Sequence, residues 1–336
     1  MNISRRDVLK VSVSLGLASI AGRPLFAQTA QFNYKVGTNV PITHPIYIRL
    51  KEASEKIKAE TQGKVDIRVF PSGQLGGDTE MLSQVRSGGI DFLTLPGVVL
   101  ANLAPMASLN SVGFAFPDYP SVWKAMDGNL GAYIRSHIAK TGLIVADKVW
   151  DNGFRQITSN TPINTPAELA SMRIRVPVSP LLLSLFKSLG ASPTPINFNE
   201  LYSSLQTHVI DAQENPLPIV ATAKLYEVQK RCALTSHVWD GYWLLGNKRS
   251  WEALPPALRD VVNRIFNEGA VAQREDSEKL AVSLQQELSS KGIVFNKIDA
   301  TAFQKKLVAA GFYSTWKEKF GAEAWAQLEA YTGKLA

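Results

Sequence analysis

The chain contains an arginine whose position suits the binding of a carboxylate. Residues 172–177 alternate apolar and charged side chains, as in a strand with one buried face. Arg175 falls at the carboxyl end of this strand, which is where ligands bind in open α/β sheets. Its guanidinium would offer two parallel donors that match the two oxygens of a carboxylate. A surface arginine would give the same pattern, so the spacing alone leaves both interpretations open.

Two other polar clusters could contribute to the same kind of site. Arg155 follows Gly153 near the start of another predicted strand and would supply a second cation. Asn215 lies between a short predicted strand at 209–212 and a predicted helix that begins near Pro216. Its amide both donates and accepts hydrogen bonds, as a carboxylate or a sugar hydroxyl requires. A helix cap is the alternative interpretation of Asn215.

The amino terminus has the features of a secretory signal. Arg5 and Arg6 precede an apolar run at residues 11–21, and small residues follow it. This run is too short to span a bilayer. The arginine pair is similar to a twin-arginine signal. We therefore expect a signal peptide at residues 1–27, cleavage after Ala27 and a soluble mature protein in the periplasm.

The composition narrows the classes of function. The 336 residues are 45% hydrophobic and 19% charged, which is typical of a soluble globular protein. The net charge is +7, yet no run of basic residues interleaved with aromatics follows the amino-terminal segment. We therefore expect no binding of nucleic acid. The single cysteine, Cys232, lies in an apolar stretch, which predicts a buried side chain and no internal disulfide.

The order of predicted strands and helices indicates an α/β fold. Strands at 34–38, 65–69 and 90–95 alternate with helices that begin at Pro45 and near Asp78, which is predicted to cap its helix. This β-α-β-α-β order favours a mostly parallel, doubly wound sheet.

A second unit of the same kind follows the first. Its predicted elements are strands at 143–149, 173–176 and 209–212 and helices that begin at Pro180, at Asn197 or Asn199, and near Pro216. A strand at 244–246 returns to the first unit, and a helix at 256–292 is long enough to lie across both. Gly269 is a candidate weak point in that helix. Two shorter helices are expected to close the chain.

Two α/β units that the chain connects more than once indicate two lobes around a cleft, which can close on a ligand like a hinge. The doubly wound sheets would be joined by crossover strands and by the long helix. Lobe I is predicted to contain residues 28–152 and 241–280, and lobe II residues 153–240 and 281–336.

Several motifs together resemble one protein family. They are 71–77 (PSGQLGG), 155–160 (RQITSN), 172–177 (MRIRVP), 189–195 (LGASPTP), 205–207 (LQT), 211–216 (DAQENP) and 225–230 (LYEVQK). Their order and spacing are similar to those of the DctP-like solute-binding proteins of tripartite ATP-independent periplasmic (TRAP) transporters. The resemblance covers essentially the whole mature chain and implies a two-lobed, periplasmic-binding-protein-like fold. It also implies capture of a small organic acid and delivery to the membrane subunits of a transporter.

The resemblance assigns roles to individual residues. Arg175 would form the salt bridge with the ligand carboxylate, Arg155 would be the second cationic contact, and Asn215 would complete the anchor. The other assignments are a polar residue of the first loop, an aromatic wall and a rim position of the first lobe, at Asn39, Phe198 and Asp78.

Two further candidates come from their polarity and from their position near the motifs. His44 and Trp239 could contact the ligand. A position in the core or on the surface is the alternative for each of them.

The sequence leaves the identity of the ligand open. Sialic-acid-binding members of the family place a glutamate and an arginine after the third strand, whereas residues 95–99 read Leu-Pro-Gly-Val-Val, so sialic acid is not expected. Aromatic residues that could flank a sugar ring or an aromatic acid are Trp150, Phe154, Trp239, Tyr242 and Trp243. A sugar acid such as a uronate is favoured, and an aromatic or 2-oxo acid and a C4-dicarboxylate are alternatives.

Two other functions compete with this interpretation. An enzyme is disfavoured because the sequence lacks a dinucleotide-binding glycine motif, a phosphate loop and a Gly-x-Ser-x-Gly elbow. The four histidines show no spacing typical of a metal site, so no metal, cofactor or catalytic residue is expected. A ligand-sensing protein for a membrane receptor would use the same binding chemistry and is an open alternative. The resemblance also implies a monomer.

Overall fold

The computed structural model describes residues 30–335, so the predicted signal peptide and its cleavage site lie outside the described residues. The first elements, in chain order, are β1 (Phe32–Thr38), α1 (Pro45–Glu60), β2 (Val65–Phe70), α2 (Asp78–Ser87) and β3 (Phe92–Pro96). Strand β1 lies between β2 and β3 and is parallel to both. The predicted parallel β-α-β-α-β unit is therefore confirmed.

The next elements lead from the first unit to the second. They are α3 (Gly97–Leu100), α4 (Tyr119–Met126), α5 (Asn129–Ala139), β4 (Leu143–Val145) and β5 (Trp150–Ser159). The prediction of one strand at 143–149 is wrong, because a short irregular segment separates β4 from β5. In this segment the backbone N–H of Lys148 donates to Oδ1 of Asn267, at 2.9 Å, instead of to a neighbouring strand.

The second unit contains a parallel sheet of its own. Its elements are β6 (Arg173–Val176), α6 (Pro180–Leu189), β7 (Ser192–Pro195), α7 (Leu201–Gln206), β8 (Ala212–Pro216), α8 (Leu217–Thr222) and β9 (Arg231–Leu234). Strand β6 lies between β7 and β8 and is parallel to both. The predicted strand at 209–212 is wrong in position. The N–H of Val209 closes the end of α7 by donating to the backbone oxygen of Ser204, so the strand begins only at Ala212.

The last part of the chain returns to the first unit and then forms a helical end. Its elements are β10 (Trp239–Asn247), α9 (Lys248–Ala253), α10 (Pro256–Ser290), β11 (Val294–Lys297), α11 (Ala300–Ala309), α12 (Phe312–Phe320) and α13 (Ala322–Thr332). Three short helices follow α10, where two were expected. Gly311 and Gly321, with φ angles of 70° and 85°, divide this segment, because glycine adopts positive φ at low cost.

Two long strands join the two units into a two-lobed α/β fold. The strand order is β2-β1-β3-β10-β5-β8-β6-β7. Strand β10 is antiparallel to β3 and β5, and β5 is antiparallel to β8. The predicted crossover strands are therefore present. Two of the predicted lobe boundaries fall inside these strands, and the third, at 280/281, falls inside α10. The division into lobes at these positions stays a prediction.

A β-bulge interrupts the pairing of β5 with β10. Asp151 pairs with Gly241 and Gly153 pairs with Asp240, so Asn152 is the extra residue. Gly153 has a φ of 107°, which favours glycine at this position. Nδ2 of Asn152 donates to Oδ2 of Asp240 at 2.9 Å. The bulge therefore fixes the position of the Asp240 carboxylate.

Helix α10 is continuous from Pro256 to Ser290 and packs against both α1 and α8. Gly269 does not interrupt it. A Cβ atom added at Gly269 would lie 3.3 Å from the ring of Trp150 and 3.5 Å from Cβ of Ala53. The missing side chain therefore allows α10 to approach α1 and β5 closely.

Helix α6 follows the strand that carries Arg175 and begins at Pro180, as predicted. Oγ of Ser179 caps the helix by accepting a hydrogen bond from the N–H of Leu182, and Gly190 ends it with a φ of 96°. Its buried face consists of Leu181, Leu182, Leu185, Phe186 and Leu189. The helix is thus fixed against the core directly after the candidate site.

Within residues 30–335, no helix combines the length and hydrophobicity needed to cross a membrane. In the same part of the chain, no group of three or more His, Cys, Asp or Glu side chains is arranged to hold a metal ion. Cys232 is a buried free thiol, so the prediction of a buried side chain is confirmed.

Candidate functional site

Arg175 lies inside the second unit rather than on its surface. In the sheet it pairs with Thr194 of β7 and Gln213 of β8. The residue is only 1% exposed. By contrast, Arg173 on the same strand is exposed and forms an ion pair with Asp211. The interpretation of Arg175 as a surface arginine is therefore wrong.

Only two of the three nitrogens of the Arg175 guanidinium donate hydrogen bonds to the described part of the protein. Nε and Nη2 both donate to the backbone oxygen of Ile196, at 2.9 and 2.7 Å. Among residues 30–335, no acceptor bonds to Nη1 and no carboxylate lies within 4.0 Å of the group. The ring centroid of Phe198 lies 6.0 Å from Cζ. Burial lowers the pKa of Arg175 to about 10, since the charged form has lost its water. An anion bound at Nη1 would compensate this loss.

Arg155 is the centre of a buried ion cluster. Its Nε donates to Oε2 of Glu214, its Nη1 to Oδ2 of Asp240 at 2.5 Å, and its Nη2 to Oε1 of Glu214 at 2.8 Å. Burial alone would lower the pKa of Arg155, but the two carboxylates outweigh it and raise the pKa. All three nitrogens thus donate to the protein. A direct contact between Arg155 and a ligand stays a prediction.

Burial and charge pairing set the protonation of the groups around Arg155. Burial by itself would raise the pKa of Glu214, but the charge of Arg155 outweighs burial and lowers the pKa below its usual value. This carboxylate is therefore ionised at neutral pH. Burial lowers the pKa of His237, whose Nε2 lies 3.2 Å from Oε2 of Glu214. Burial raises the pKa of Asp240, against the attraction of Arg155. The cluster therefore contains the guanidinium of Arg155, the ionised Glu214 and the carboxyl group of Asp240, with a neutral imidazole beside them.

Asn215 connects this cluster to the interior of the sheet. It lies in β8, opposite Gln156 of β5. Its Oδ1 accepts from Nη2 of Arg155 at 3.2 Å, and its Nδ2 donates to Oε1 of Gln213 at 2.6 Å. The interpretation of Asn215 as a helix cap is wrong, because Pro216 occupies the capping position of α8.

A chain of hydrogen bonds brings residues of the first unit to the site. Nδ2 of Asn39 donates to Oδ1 of Asp78 at 2.8 Å, and the hydroxyl of Tyr242 donates to Oδ1 of Asn39 at 3.1 Å. Burial raises the pKa of Asp78, while the nearby charge of Arg175 opposes the shift. The prediction that Asp78 caps its helix is wrong. Gly77 is the cap, and the Asp78 side chain turns towards Asn39 instead.

Residues from both units meet across the site. The N–H of Phe198 donates to Oδ2 of Asp78 at 3.2 Å. Both N and Oγ1 of Thr79 lie 3.4 Å from Oδ1 of Asn197. Residues 198–200 form a single 3-10 turn before α7, so Asn197 begins this turn rather than the predicted helix. The start of α2 and this turn therefore cover the region next to Arg175.

His44 and Trp239 have structural partners in this conformation. Nδ1 of His44 accepts from the N–H of Ile46 at 3.2 Å and caps α1, and burial lowers the pKa of His44 to about 3. Nε1 of Trp239 donates to Oδ1 of Asp151 at 2.8 Å. Its ring packs edge-on against Trp123, with centroids 5.4 Å apart. Contact of either residue with a ligand stays a prediction.

The aromatic residues that we expected beside a ring-shaped ligand are mostly packed in the protein. Trp150 and Trp243 are completely buried in the core. Phe154 packs edge-on against Tyr119, with centroids 5.2 Å apart. Tyr242 is the member of this group that is hydrogen-bonded to Asn39.

The ionic partners of Arg155, Glu214 and Asp240, were not among the site residues predicted from the sequence. Glu214 lies inside the 211–216 motif, directly before Asn215, and this position could have indicated that it belongs to the site. Asp240 could not be recognised from a local sequence pattern. It reaches Arg155 through the pairing of β5 with β10 and the β-bulge at Asn152, which join distant segments of the chain.

This arrangement of groups matches the chemistry of an anion site with polar walls. Arg175 supplies a cation with a free donor, and Phe198 supplies an apolar face. Neutral donors and acceptors come from Asn39, Asn215 and Tyr242. A small carboxylate with hydroxyl groups matches this set, since charge-assisted hydrogen bonds are strongest where water is excluded.

Comparison with known sequences identifies close relatives of the chain. The family model of DctP, described as "Bacterial extracellular solute-binding protein, family 7", matches residues 36–314. The 2,3-diketo-L-gulonate-binding periplasmic protein YiaO of Escherichia coli is 33% identical over 308 residues, which are 90% of this chain and 91% of that protein. Solute-binding protein RD1_1052 of Roseobacter denitrificans is 32% identical over 291 residues, which are 86% and 88% of the two chains.

Solved structures show the same fold. The RD1_1052 protein with bound L-galactonate has a TM-score of 0.84 and 28% identity, over 89% of this chain and 99% of that chain. A protein from Sulfurospirillum deleyianum with bound succinate has a TM-score of 0.86 and 27% identity, over 90% and 100% of the two chains. Both are described as TRAP periplasmic solute-binding proteins, which are binding proteins rather than enzymes. The chain therefore belongs to family 7 of the bacterial extracellular solute-binding proteins, the DctP family.

Proposed function

We propose that this protein captures a six-carbon sugar acid in the periplasm and delivers it to the membrane subunits of a TRAP transporter. The observation that carries the proposal is the buried guanidinium of Arg175, whose Nη1 bonds to no acceptor among the described residues. Two related proteins support this ligand class, since they are named for 2,3-diketo-L-gulonate or solved with L-galactonate. The predicted signal peptide supports the location.

In the proposed complex, the ligand carboxylate bonds to Arg175. Nη1 has a free donor, and a small rotation of the side chain away from Ile196 would present two. Asn215 and Arg155 lie on the second side of the carboxylate. The hydroxyl groups of the ligand pair with Asn39 and Tyr242, which are joined by the hydrogen bond that the Tyr242 hydroxyl donates to Oδ1 of Asn39. Every polar arm of a sugar acid then has a partner.

Closure of the two lobes completes the site in this proposal. The contacts of Asp78 with Phe198 and of Thr79 with Asn197 join the predicted lobe I to the predicted lobe II. When they form, water leaves the region next to Arg175. The lower local dielectric then strengthens the bond between guanidinium and carboxylate. A membrane receptor could recognise the same closed form. The identity of the membrane partner therefore distinguishes a role in transport from a role in sensing.

A thermal-shift screen of the mature protein, from Gln28 onward, tests the ligand class. A ligand at 100 times its dissociation constant stabilises the folded state by about 2.7 kcal/mol. We expect a shift of several degrees with one or more hexonates or uronates and none with the corresponding amides. A shift with aromatic acids or C4-dicarboxylates alone would contradict the sugar-acid proposal.

Substitution of Arg175 tests the mode of binding. Arg175→Ala should weaken binding by about 2–5 kcal/mol, because it leaves the ligand carboxylate buried without a partner. Arg175→Lys should also weaken it, since lysine cannot reproduce the planar donor pair. Isothermal titration calorimetry with the best acid from the screen measures both effects. The matched control is Arg173→Ala, on the same strand but exposed, which should bind like the wild type.

A further inference from the structure

The two buried arginines of the site differ in how the protein compensates their positive charges. Two guanidinium groups are buried there, on Arg155 and Arg175. Three carboxylates are buried with them, on Asp78, Glu214 and Asp240. In the described chain, the two guanidinium groups and Glu214 are charged at neutral pH, while burial raises the pKa of Asp78 and of Asp240. The site is therefore not simply a basic pocket that would accept any number of carboxylates.

The two guanidinium groups differ in what they can offer to a ligand. Arg155 binds Glu214 through two nitrogens and Asp240 through the third, and both carboxylates are completely buried. Its positive charge is thus balanced by the protein. Arg175 bonds only to a backbone oxygen, which carries no net charge. Among the described residues, Arg175 is therefore the buried guanidinium of the site without a carboxylate partner within 4.0 Å.

From this imbalance we propose that Glu214 and Asp240, by neutralising Arg155, make the site selective for acids with a single carboxylate. The inference deepens the proposed function and rests on it. The first carboxylate of a ligand pairs with Arg175. A second carboxylate would enter a region of low dielectric where the ionised Glu214 is already present and where Arg155 is already paired, and like charges repel strongly without water. A hydroxyl group in the same place has neutral partners in Asn39 and Tyr242.

Glu214 and Asp240 are positioning residues in this proposal, since they act on the ligand through Arg155. Asp240→Asn is the sharper variant. The amide oxygen can still accept from Nη1 of Arg155 and from Nδ2 of Asn152, as Oδ2 of Asp240 does now. The fold is retained and one negative charge is removed. Glu214→Gln removes the other compensating charge and provides an independent second variant.

The test compares matched pairs of acids by isothermal titration calorimetry on the mature chain. L-galactonate and galactarate differ only at the terminal carbon, which is a hydroxymethyl group in one and a carboxylate in the other. Succinamate and succinate form a second pair. We expect the wild type to prefer the monoacid of a pair by at least 100-fold, and each variant to reduce that preference at least tenfold. Asp211→Asn removes one charge from an exposed ion pair and should leave the preference unchanged.

The outcomes separate this inference from the proposed function. If the wild type binds galactarate as tightly as L-galactonate, the selectivity inference is wrong, while the capture of sugar acids stands. If Asp240→Asn and Glu214→Gln weaken both acids by the same factor, the two carboxylates only maintain the fold and the inference is also wrong. Binding of neither pair by the wild type, together with no thermal shift for any hexonate or uronate, would overturn the inference together with the proposed function.

Discussion

At the residue scale, the two buried arginines depend on the protein in different ways. Arg155 holds two buried carboxylates that have no other cation beside them among the described residues. Arg175 donates to a backbone carbonyl, and we propose that it also binds the ligand carboxylate. Removal of Arg155 should therefore mainly lower the stability of the fold, whereas removal of Arg175 should mainly weaken the binding of ligand.

Arg155→Ala should lower the free energy of unfolding of the ligand-free protein by about 3–5 kcal/mol, because Glu214 and Asp240 would be left buried without the cation that pairs with them. Urea unfolding followed by circular dichroism measures this. Arg173→Ala is the matched control, and it should cost at most about 1 kcal/mol because its ion pair is exposed. Equal losses for the two variants would contradict the buried ion cluster.

Asp151 should make stability depend on pH. Burial raises the pKa of Asp151 to about 7 from 3.8, although Trp239, Tyr119 and Arg274 favour its charged form. The folded state therefore holds a proton that the unfolded state has lost, and stability falls as pH rises between these two values. Above pH 7 the full penalty is present, at about 1.4 kcal/mol for each unit of pKa difference.

Asp151→Asn removes this penalty and keeps the acceptor for Nε1 of Trp239. We expect the variant to be more stable than the wild type at pH 8, with an advantage that shrinks towards zero at pH 4. Urea unfolding of both proteins at several pH values measures the difference. An advantage that does not change with pH would show that the ionisation of Asp151 is not its cause.

At the element scale, the contact of α10 with α1 and β5 depends on Gly269. Gly269→Leu should cost about 1–3 kcal/mol, because the new side chain would meet the ring of Trp150 and Ala53. Gly269→Ala should be close to neutral, since alanine gains about 1 kcal/mol of helix propensity while its Cβ makes a tight contact. Thermal unfolding measures both variants. Glu275→Leu, at an exposed position of the same helix, is the control and should change stability little.

At the scale of the whole molecule, the two predicted lobes meet where α2 begins. A Cβ atom built at Gly77 lies 3.5 Å from Cβ of Asn197, which is within the range for a disulfide. The double variant Gly77→Cys/Asn197→Cys should therefore lock the site shut when oxidised. We expect stopped-flow fluorescence to show at least tenfold slower ligand uptake in the oxidised form and recovery on reduction.

Two controls support this experiment. Gly77→Cys alone should bind at the same rate with and without reductant. The natural thiol of Cys232 is buried, and burial raises its pKa to about 12, so it should not compete for the new cysteines. Uptake by the oxidised double variant at the wild-type rate would mean that ligand enters without separation of these contacts.

Sequence determined the features that depend on short-range patterns. The parallel β1-β2-β3 unit follows from strand and helix periodicity. The limits of α6 follow from the capping chemistry of Ser179 and the positive φ of Gly190. The position of Arg175 at the end of β6 follows from alternation within one strand. Each depends on neighbours within a few residues, so a single sequence contains the necessary information.

Only the tertiary structure decided how the charged groups are paired. Arg155 meets Glu214 and Asp240, which lie 59 and 85 positions away, through the pairing of β5 with β8 and through the bulge at Asn152 of β5. Likewise, Asp78 turns from a helix cap to Asn39 and Phe198 because two loops from different units meet there. Strand register and burial determine these contacts, and they arise from the packing of distant segments that no local pattern encodes.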